Sequence, residues 1–151
     1  MPYPYSGEFQ GKLAKVILTD PTVVKTHLWA INGGYFDDEL IGVAVDTAIG
    51  IYQTHGSLPD KTALRQACRE KVPPGRKIQE LEDAIEDVLA KKVKDHAFYV
   101  SEMAKFGRFQ AVKHGLSEAM ALVEEGDLEG AGAAAETAFR TGVQNAEGYN
   151  Y

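Results

Sequence analysis

The stretch 93–143 constrains the fold of this chain more than any other, because its apolar residues recur at helical spacing over an unusual length. The steps between them are three, four or seven residues, which puts them on one side of a helix. The stripe consists of Tyr99, Met103, Phe106, Phe109, Leu116, Met120 and Val123. A helix of roughly 30 residues at about 1.5 Å per residue is about 45 Å long. The sequence therefore predicts one long helical arm here.

A tight turn and a second helix follow the long arm. Gly126 can adopt the left-handed conformation that ends a helix, and Asp127 can cap the start of the next. The second arm, 128–143, is rich in alanine and glycine, so its backbone can approach a neighbouring helix closely. The two arms form a predicted helical hairpin, and the longer arm has more apolar surface than its mate can cover.

We interpret this hairpin as an association surface. The alternative is that the long arm only covers the helices that precede it. The predicted oligomer interface comprises Tyr99, Met103, Phe106, Phe109, Leu116, Met120, Val123, Leu128, Ala135 and Phe139.

The residues before the hairpin predict five shorter helices and no strand. Helical periodicity indicates helices at about 8–18 and 21–31, a third from the acidic entry at 37–39 to the end at 54–56, and a fourth that opens at 59 or 60. The break at 72–75 separates the fourth helix from a fifth at about 78–89. The predicted fold class is all-α, with a compact five-helix globule (1–92) followed by a long antiparallel helical hairpin (93–143). Residues 144–151 are predicted to be a frayed tail or the start of a linker.

Composition excludes several classes of protein. The 151 residues have a formal charge of −6, which argues against a strong phosphate-binding surface, and Lys105, Arg108 and Lys113 on the long arm are interpreted as solvated charges. No apolar run is long enough to cross a membrane, and the N-terminus has no secretory signal pattern. A single cysteine, Cys68, fits a reducing compartment, so we expect a cytoplasmic location.

The residues that could carry out catalysis or bind a metal ion have structural explanations. The segment 73–77 lacks the first glycine and the hydroxyl of a phosphate-binding loop. His96 and His114 lie about 27 Å apart along one helix, too far to share a metal ion. Asp37 to Glu39 are interpreted as helix-capping residues, Glu82 and Glu86 as a solvated face, and Cys68 as a core residue. We predict no catalytic, metal or cofactor site.

Several segments give the chain a family resemblance. They are 9–21, 34–36, 51–60, 122–129 and 138–143. In their order and in residues such as Gly34-Tyr35-Phe36 and Glu125-Gly126-Asp127-Leu128, they resemble the N-terminal domain of DnaB-type replicative DNA helicases, especially those of phages.

The resemblance implies a non-catalytic domain that forms a collar above a ring of ATPase domains. In that family the helical hairpins pair, and the collar can meet primase or a helicase loader. ATP and Mg²⁺ are expected only in an ATPase domain that follows, and single-stranded DNA is expected to pass through the ring with weak or no binding to this domain. The chain is then an N-terminal piece of a longer helicase.

Two other functions remain open from the residues. The chain could be a free-standing helical adaptor or a phage replication accessory protein similar to a helicase loader. It could also be a small enzyme whose site is assembled from dispersed residues.

Overall fold

The computed structural model describes residues 4–144, apart from the side chains of Val143 and Gln144. Over that range the chain has seven α-helices and no β-strand, which confirms the predicted all-α class. The helices are α1 (Gly7–Thr19), α2 (Pro21–His27), α3 (Glu39–His55), α4 (Lys61–Cys68), α5 (Ile78–Ala90), α6 (His96–Glu124) and α7 (Leu128–Phe139). None of these helices is long and apolar enough to cross a membrane.

Aspartates cap the starts of four helices. Asp20 accepts hydrogen bonds from the backbone of Thr22 (3.0 Å) and Val23 (3.3 Å), with Pro21 in the first helical position as predicted. The Asp60 carboxylate accepts from the Ala63 amide at 2.8 Å, and Asp38 and Asp127 cap α3 and α7 in the same way. Each cap satisfies an amide that has no partner inside its helix.

Two glycines meet closely in the first part of the chain. The backbone of Gly33 lies against that of Gly42, and a Cβ added to either glycine would collide with the other's carbonyl oxygen. The Gly33 amide also donates to the Asp46 carboxylate at 2.7 Å. The Gly33-Gly34 pair is therefore explained by close packing of the 3₁₀ turn Gly33–Tyr35 on α3.

The chain divides into two compact units, Met1–Met103 and Ala104–Tyr151, called unit 1 and unit 2 below. In unit 1, α3 packs against α1, α4 and α5, and α5 also contacts α1 and α4. Leu13, Val45, Leu64 and Ile85 are almost completely buried in this core. Gln10 is buried as well, and its amide exchanges 2.8 Å hydrogen bonds with the carboxylate and backbone of Asp37.

In unit 2, the later part of α6 packs antiparallel against α7. A Cβ on Gly115 would collide with the Cβ of Ala138 and lie 3.3 Å from its Cα. A Cβ on Gly142 would collide with Val112 and lie 3.2 Å from the Arg108 carbonyl oxygen. The predicted role of small residues at a helix–helix contact is visible at both positions.

The turn between α6 and α7 has the predicted chemistry. Gly126 has φ +84°, the left-handed conformation that favours glycine, and the Asp127 side chain accepts from the Gly130 amide at 2.8 Å. The amide of Asp127 donates to the Leu122 carbonyl at 2.9 Å, which closes the end of α6.

Three boundaries differ from the prediction. The second helix ends at His27, and a 3₁₀ turn, Leu28–Ala30, replaces its predicted last turn. The division between the two units falls inside α6, so residues 93–103 of the predicted hairpin belong to unit 1. After Phe139 the chain continues as a π-helical turn, Arg140–Gln144. The prediction for the tail beyond it lies outside the described residues.

Candidate association surface

Four exposed apolar residues of α6 lie on one side of that helix. At about 100° per residue, Phe109, Leu116, Met120 and Val123 fall within an arc of about 60°. The residues of α6 that meet α7, including Val112 and Gly115, are centred about 80° to one side of this arc. The exposed row is therefore next to the α6–α7 contact rather than opposite it.

The second helix has a matching row. Leu128, Ala135 and Phe139 are centred about 70° from the side of α7 that carries Ala131 and Ala138 and meets α6. The rotation has the same sense along the chain in both helices. Because the helices are antiparallel, similar rotations in the same sense bring both rows to the same side of the hairpin. We call these seven residues of α6 and α7 the hairpin face.

The hairpin face is open to solvent in the protomer. Its six large members are 41 to 71% exposed, and Ala135 is half-buried. Leu128 is the most exposed at 71%, followed by Met120 at 67%. Large apolar side chains that are this exposed and this close together on a surface mark a site of association more often than a chance pattern.

Three of the ten residues predicted for the interface lie elsewhere. Met103 and Phe106 are only 1% and 2% exposed, so they add no surface to an association. Tyr99 is half-buried and its ring packs on Phe9, with the ring centroids 5.4 Å apart. The predicted apolar stripe combined buried and exposed residues, and the candidate surface narrows to the hairpin face.

The acidic residues considered as catalytic or metal-binding groups have structural partners. The Asp38 carboxylate accepts from the Leu40 amide at 2.9 Å, which confirms its predicted capping role. Glu82 is held by Arg65 at 3.1 Å and by Arg69 at 3.3 Å. The hydrogen bond and charge of Arg65, followed by those of Arg69, lower the pKa of Glu82.

The cysteine and histidines do not gather into a metal-binding group within the described residues. Cys68 is buried, as predicted, and burial raises the pKa of its thiol, which disfavours the reactive thiolate. Residues 4–144 contain no group of three or more His, Cys, Asp or Glu side chains that could hold a metal ion.

One contact of His96 was missed by sequence reasoning. Its Nε2 lies 2.8 Å from the Asp20 carboxylate, which also caps α2. The two residues are 76 positions apart, and no local pattern in the sequence signals such a pairing.

Comparisons with known proteins give no match: no protein family, no curated protein and no solved structure is significantly similar to this chain.

Proposed function

We propose that this chain is a non-catalytic assembly domain whose hairpin face binds a second copy of itself. In the fuller form of the proposal, a compact five-helix globule positions the hairpin. The whole is the N-terminal oligomerisation and partner-docking collar of a hexameric replicative DNA helicase. The observation that carries the proposal is the single exposed apolar surface formed jointly by α6 and α7.

The size of the hairpin face supports association. If each of its six large side chains presents about 150–200 Å² when fully exposed, their exposed fractions give roughly 500–700 Å² of apolar surface. This is at the upper end of about 300–600 Å² for the largest apolar patch of an ordinary monomer. A standard interface buries about 800 Å² per partner, so this face with a polar rim is large enough to form one.

The polar surroundings of the hairpin face favour a symmetric pairing over aggregation. Lys113 lies at the edge of the exposed row on α6, and Glu136 and Arg140 form an ion pair on another side of α7. An apolar centre with charged neighbours is the usual arrangement of a specific interface. A surface that faces its own copy across a two-fold axis closes after two subunits.

The collar proposal rests on the resemblance to DnaB-type N-terminal domains. In that family the hairpins pair, and primase or a loader is a further partner. The alternative is a free-standing helical adaptor or an accessory protein similar to a helicase loader. The gene distinguishes the two: a Gly-x-x-x-x-Gly-Lys-Ser/Thr motif encoded after Tyr151 favours the helicase, whereas a stop codon directly after it favours the adaptor.

The association is tested by placing charge on the hairpin face. A Leu116→Asp/Met120→Asp double variant is expected to be a folded monomer, because two buried, unpaired carboxylates cannot be tolerated in an apolar interface. Light scattering measures the mass, and circular dichroism measures the helix content. Both positions are highly exposed in the protomer, so the fold itself should accept the change.

The matched control is an Ala121→Asp/Ala133→Asp double variant. Both alanines are exposed, and helical geometry places them away from the hairpin face. This control adds the same negative charge as the test variant, and its loss of helix propensity is at least as large. It should nevertheless associate as the unmodified chain does. If both double variants dissociate equally, the hairpin face is not the interface.

A further inference from the structure

The turn before α3 contains a pair of residues that is prone to spontaneous deamidation. Asn32 is followed by Gly33, and no other asparagine in the sequence precedes a glycine. A glycine has no side chain to shield its backbone nitrogen from the preceding side chain, and asparagine is among the thermally labile residues. Asn32 is exposed, so water reaches its side chain. The pair lies within unit 1.

The reaction closes a succinimide ring between the two residues. The backbone nitrogen of Gly33 bonds to Cγ of Asn32 and loses its proton, while the side-chain nitrogen of Asn32 takes up a proton and leaves as ammonia. Water then opens the ring at one of its two carbonyl carbons. Opening at the backbone carbonyl gives isoaspartate, in which Cβ becomes part of the main chain, and opening at the other gives aspartate.

The observed backbone keeps the reacting atoms apart. Ring closure requires the Gly33 nitrogen to eclipse Cβ of Asn32, which an L residue reaches only at a ψ of about −120°. The ψ of Asn32 is 126° in this structure. Closure therefore needs a rotation of more than a quarter turn about the Cα–C bond of Asn32.

Three hydrogen bonds oppose that rotation. The peptide unit between Asn32 and Gly33 is held at both ends. Its carbonyl oxygen accepts from the Tyr35 amide at 3.0 Å, and its N–H donates to the Asp46 carboxylate at 2.7 Å. The side-chain oxygen of Asn32 accepts from the Gly34 amide at 2.8 Å, which also holds the Cγ that would be attacked. Ring closure has to break both bonds of the peptide unit.

We propose that Asn32-Gly33 is a self-modification site that is closed while the turn Gly33–Tyr35 packs on α3 and reacts when this turn opens. The rate of modification is then the intrinsic rate of the open chain multiplied by the fraction of molecules in which the turn is open. Isoaspartate adds a main-chain carbon before Gly33, where the backbone already meets that of Gly42. The isoaspartate form therefore cannot close the turn again, and the reaction makes a transient opening permanent.

The test follows deamidation of the full chain over days at mildly alkaline pH. Trypsin releases the peptide 26–61, in which Asn32 is the only asparagine, and mass spectrometry measures the fraction converted to acid. The same chain in denaturing guanidinium chloride supplies the rate of the open state. The folded chain is expected to react at least about tenfold more slowly than the unfolded chain. Asn32→Ser keeps a capping side chain and should show no conversion, which assigns the signal to this residue.

The bond to Asp46 is tested by Asp46→Ala. An amide hydrogen bond to a carboxylate is stronger than one to a neutral group, so its loss should accelerate conversion of Asn32 at least about threefold. Hydrogen exchange of the Gly33 amide should accelerate by a similar factor, whereas exchange of Val45 in the core should not change, because only the turn opens. Asp87→Ala removes an exposed carboxylate from α5 and is the matched control; it should react as the unmodified chain does.

Three outcomes would overturn the proposal. They are equal rates in the folded and unfolded chains, an unchanged or slower rate in Asp46→Ala, and equal acceleration of Gly33 and Val45 exchange in that variant. A slower rate would instead make Asp46 a base that assists the attack. Leu116→Asp/Met120→Asp should react at the rate of the unmodified chain, because the hairpin face takes no part. This site is therefore tested separately from association.

Discussion

Units 1 and 2 differ in how far they bury their large apolar side chains. Unit 1 buries large side chains such as Leu13, Leu64 and Ile85 almost completely. Among the described residues, six of the eight large hydrophobic side chains that remain exposed lie in unit 2, which is less than a third of the chain. Unit 1 therefore buries most of its large apolar side chains, whereas unit 2 exposes six of its own.

The largest predicted effect compares one leucine from each unit. Leu13→Ala in unit 1 removes a completely buried side chain and is expected to destabilise the protein by about 2–5 kcal/mol. Leu116→Ala in unit 2 removes a side chain that is 51% exposed, and in dilute solution it should change the stability by less than about 0.5 kcal/mol. Urea denaturation measures both; similar losses would contradict the division into a closed and an open unit.

The second prediction concerns glycine packing in unit 1. Gly33→Ala places a methyl group against the Gly42 carbonyl oxygen and the Asp46 carboxylate, and it should destabilise by about 1–3 kcal/mol. Gly50→Ala is the control, since Gly50 lies at an exposed position of α3 where a Cβ meets nothing within 4 Å, and it should stabilise by about 0.5–1 kcal/mol. Equal effects of the two changes would show that this backbone contact is not formed.

Replacing a packed glycine in unit 2 is expected to cost less stability than in unit 1. Gly115→Ala pushes α6 away from Ala138, and the gain in helix propensity of about 1 kcal/mol offsets part of the cost. The net loss should be about 1 kcal/mol, whereas Gly132→Ala on α7 meets no atom within 4 Å and should stabilise. Hydrogen exchange of the α7 amides reports this unit separately. Slower exchange in Gly115→Ala would contradict the packing described for α6 and α7.

The smallest prediction concerns pH and the surface of unit 1. Because Arg65 and Arg69 lower the pKa of Glu82 in the folded chain, the stabilising contribution of Glu82 is present above its unfolded pKa. It is lost as the pH falls through the lowered folded value. Glu82→Gln should therefore be less stable than the unmodified chain at neutral pH and equally stable in strong acid. An equal deficit at both pH values would contradict an electrostatic role.

The sequence predicted most helices of this chain because their signals are local. Asp20 with Pro21, and Gly126 with Asp127, are start and stop signals that depend on neighbouring residues, and the structure shows both. The division of the long apolar stripe could not be predicted in the same way. Phe106 and Phe109 are adjacent on the helix surface, yet the first is buried and the second is 41% exposed.

The part that sequence reasoning missed depends on residues far apart in the chain. The apolar stripe of α6 is wider than the strip that one neighbouring helix covers. Helical periodicity therefore does not tell which of its residues are buried and which are exposed. Tyr99 on Phe9 and His96 on Asp20 join positions separated by most of unit 1. The contacts of Gly115 and Gly142 show which sides of α6 and α7 meet. Only these contacts place the exposed apolar rows of the two helices on the same side of the hairpin.

The most direct test of the central claim is sedimentation equilibrium of the unmodified chain over a wide concentration range. If the hairpin face binds a second copy, the average mass rises with concentration from that of the 16.5 kDa protomer to twice that value or more. It should return to the protomer mass in Leu116→Asp/Met120→Asp. A mass of 16.5 kDa at every concentration up to high micromolar would contradict the proposed association.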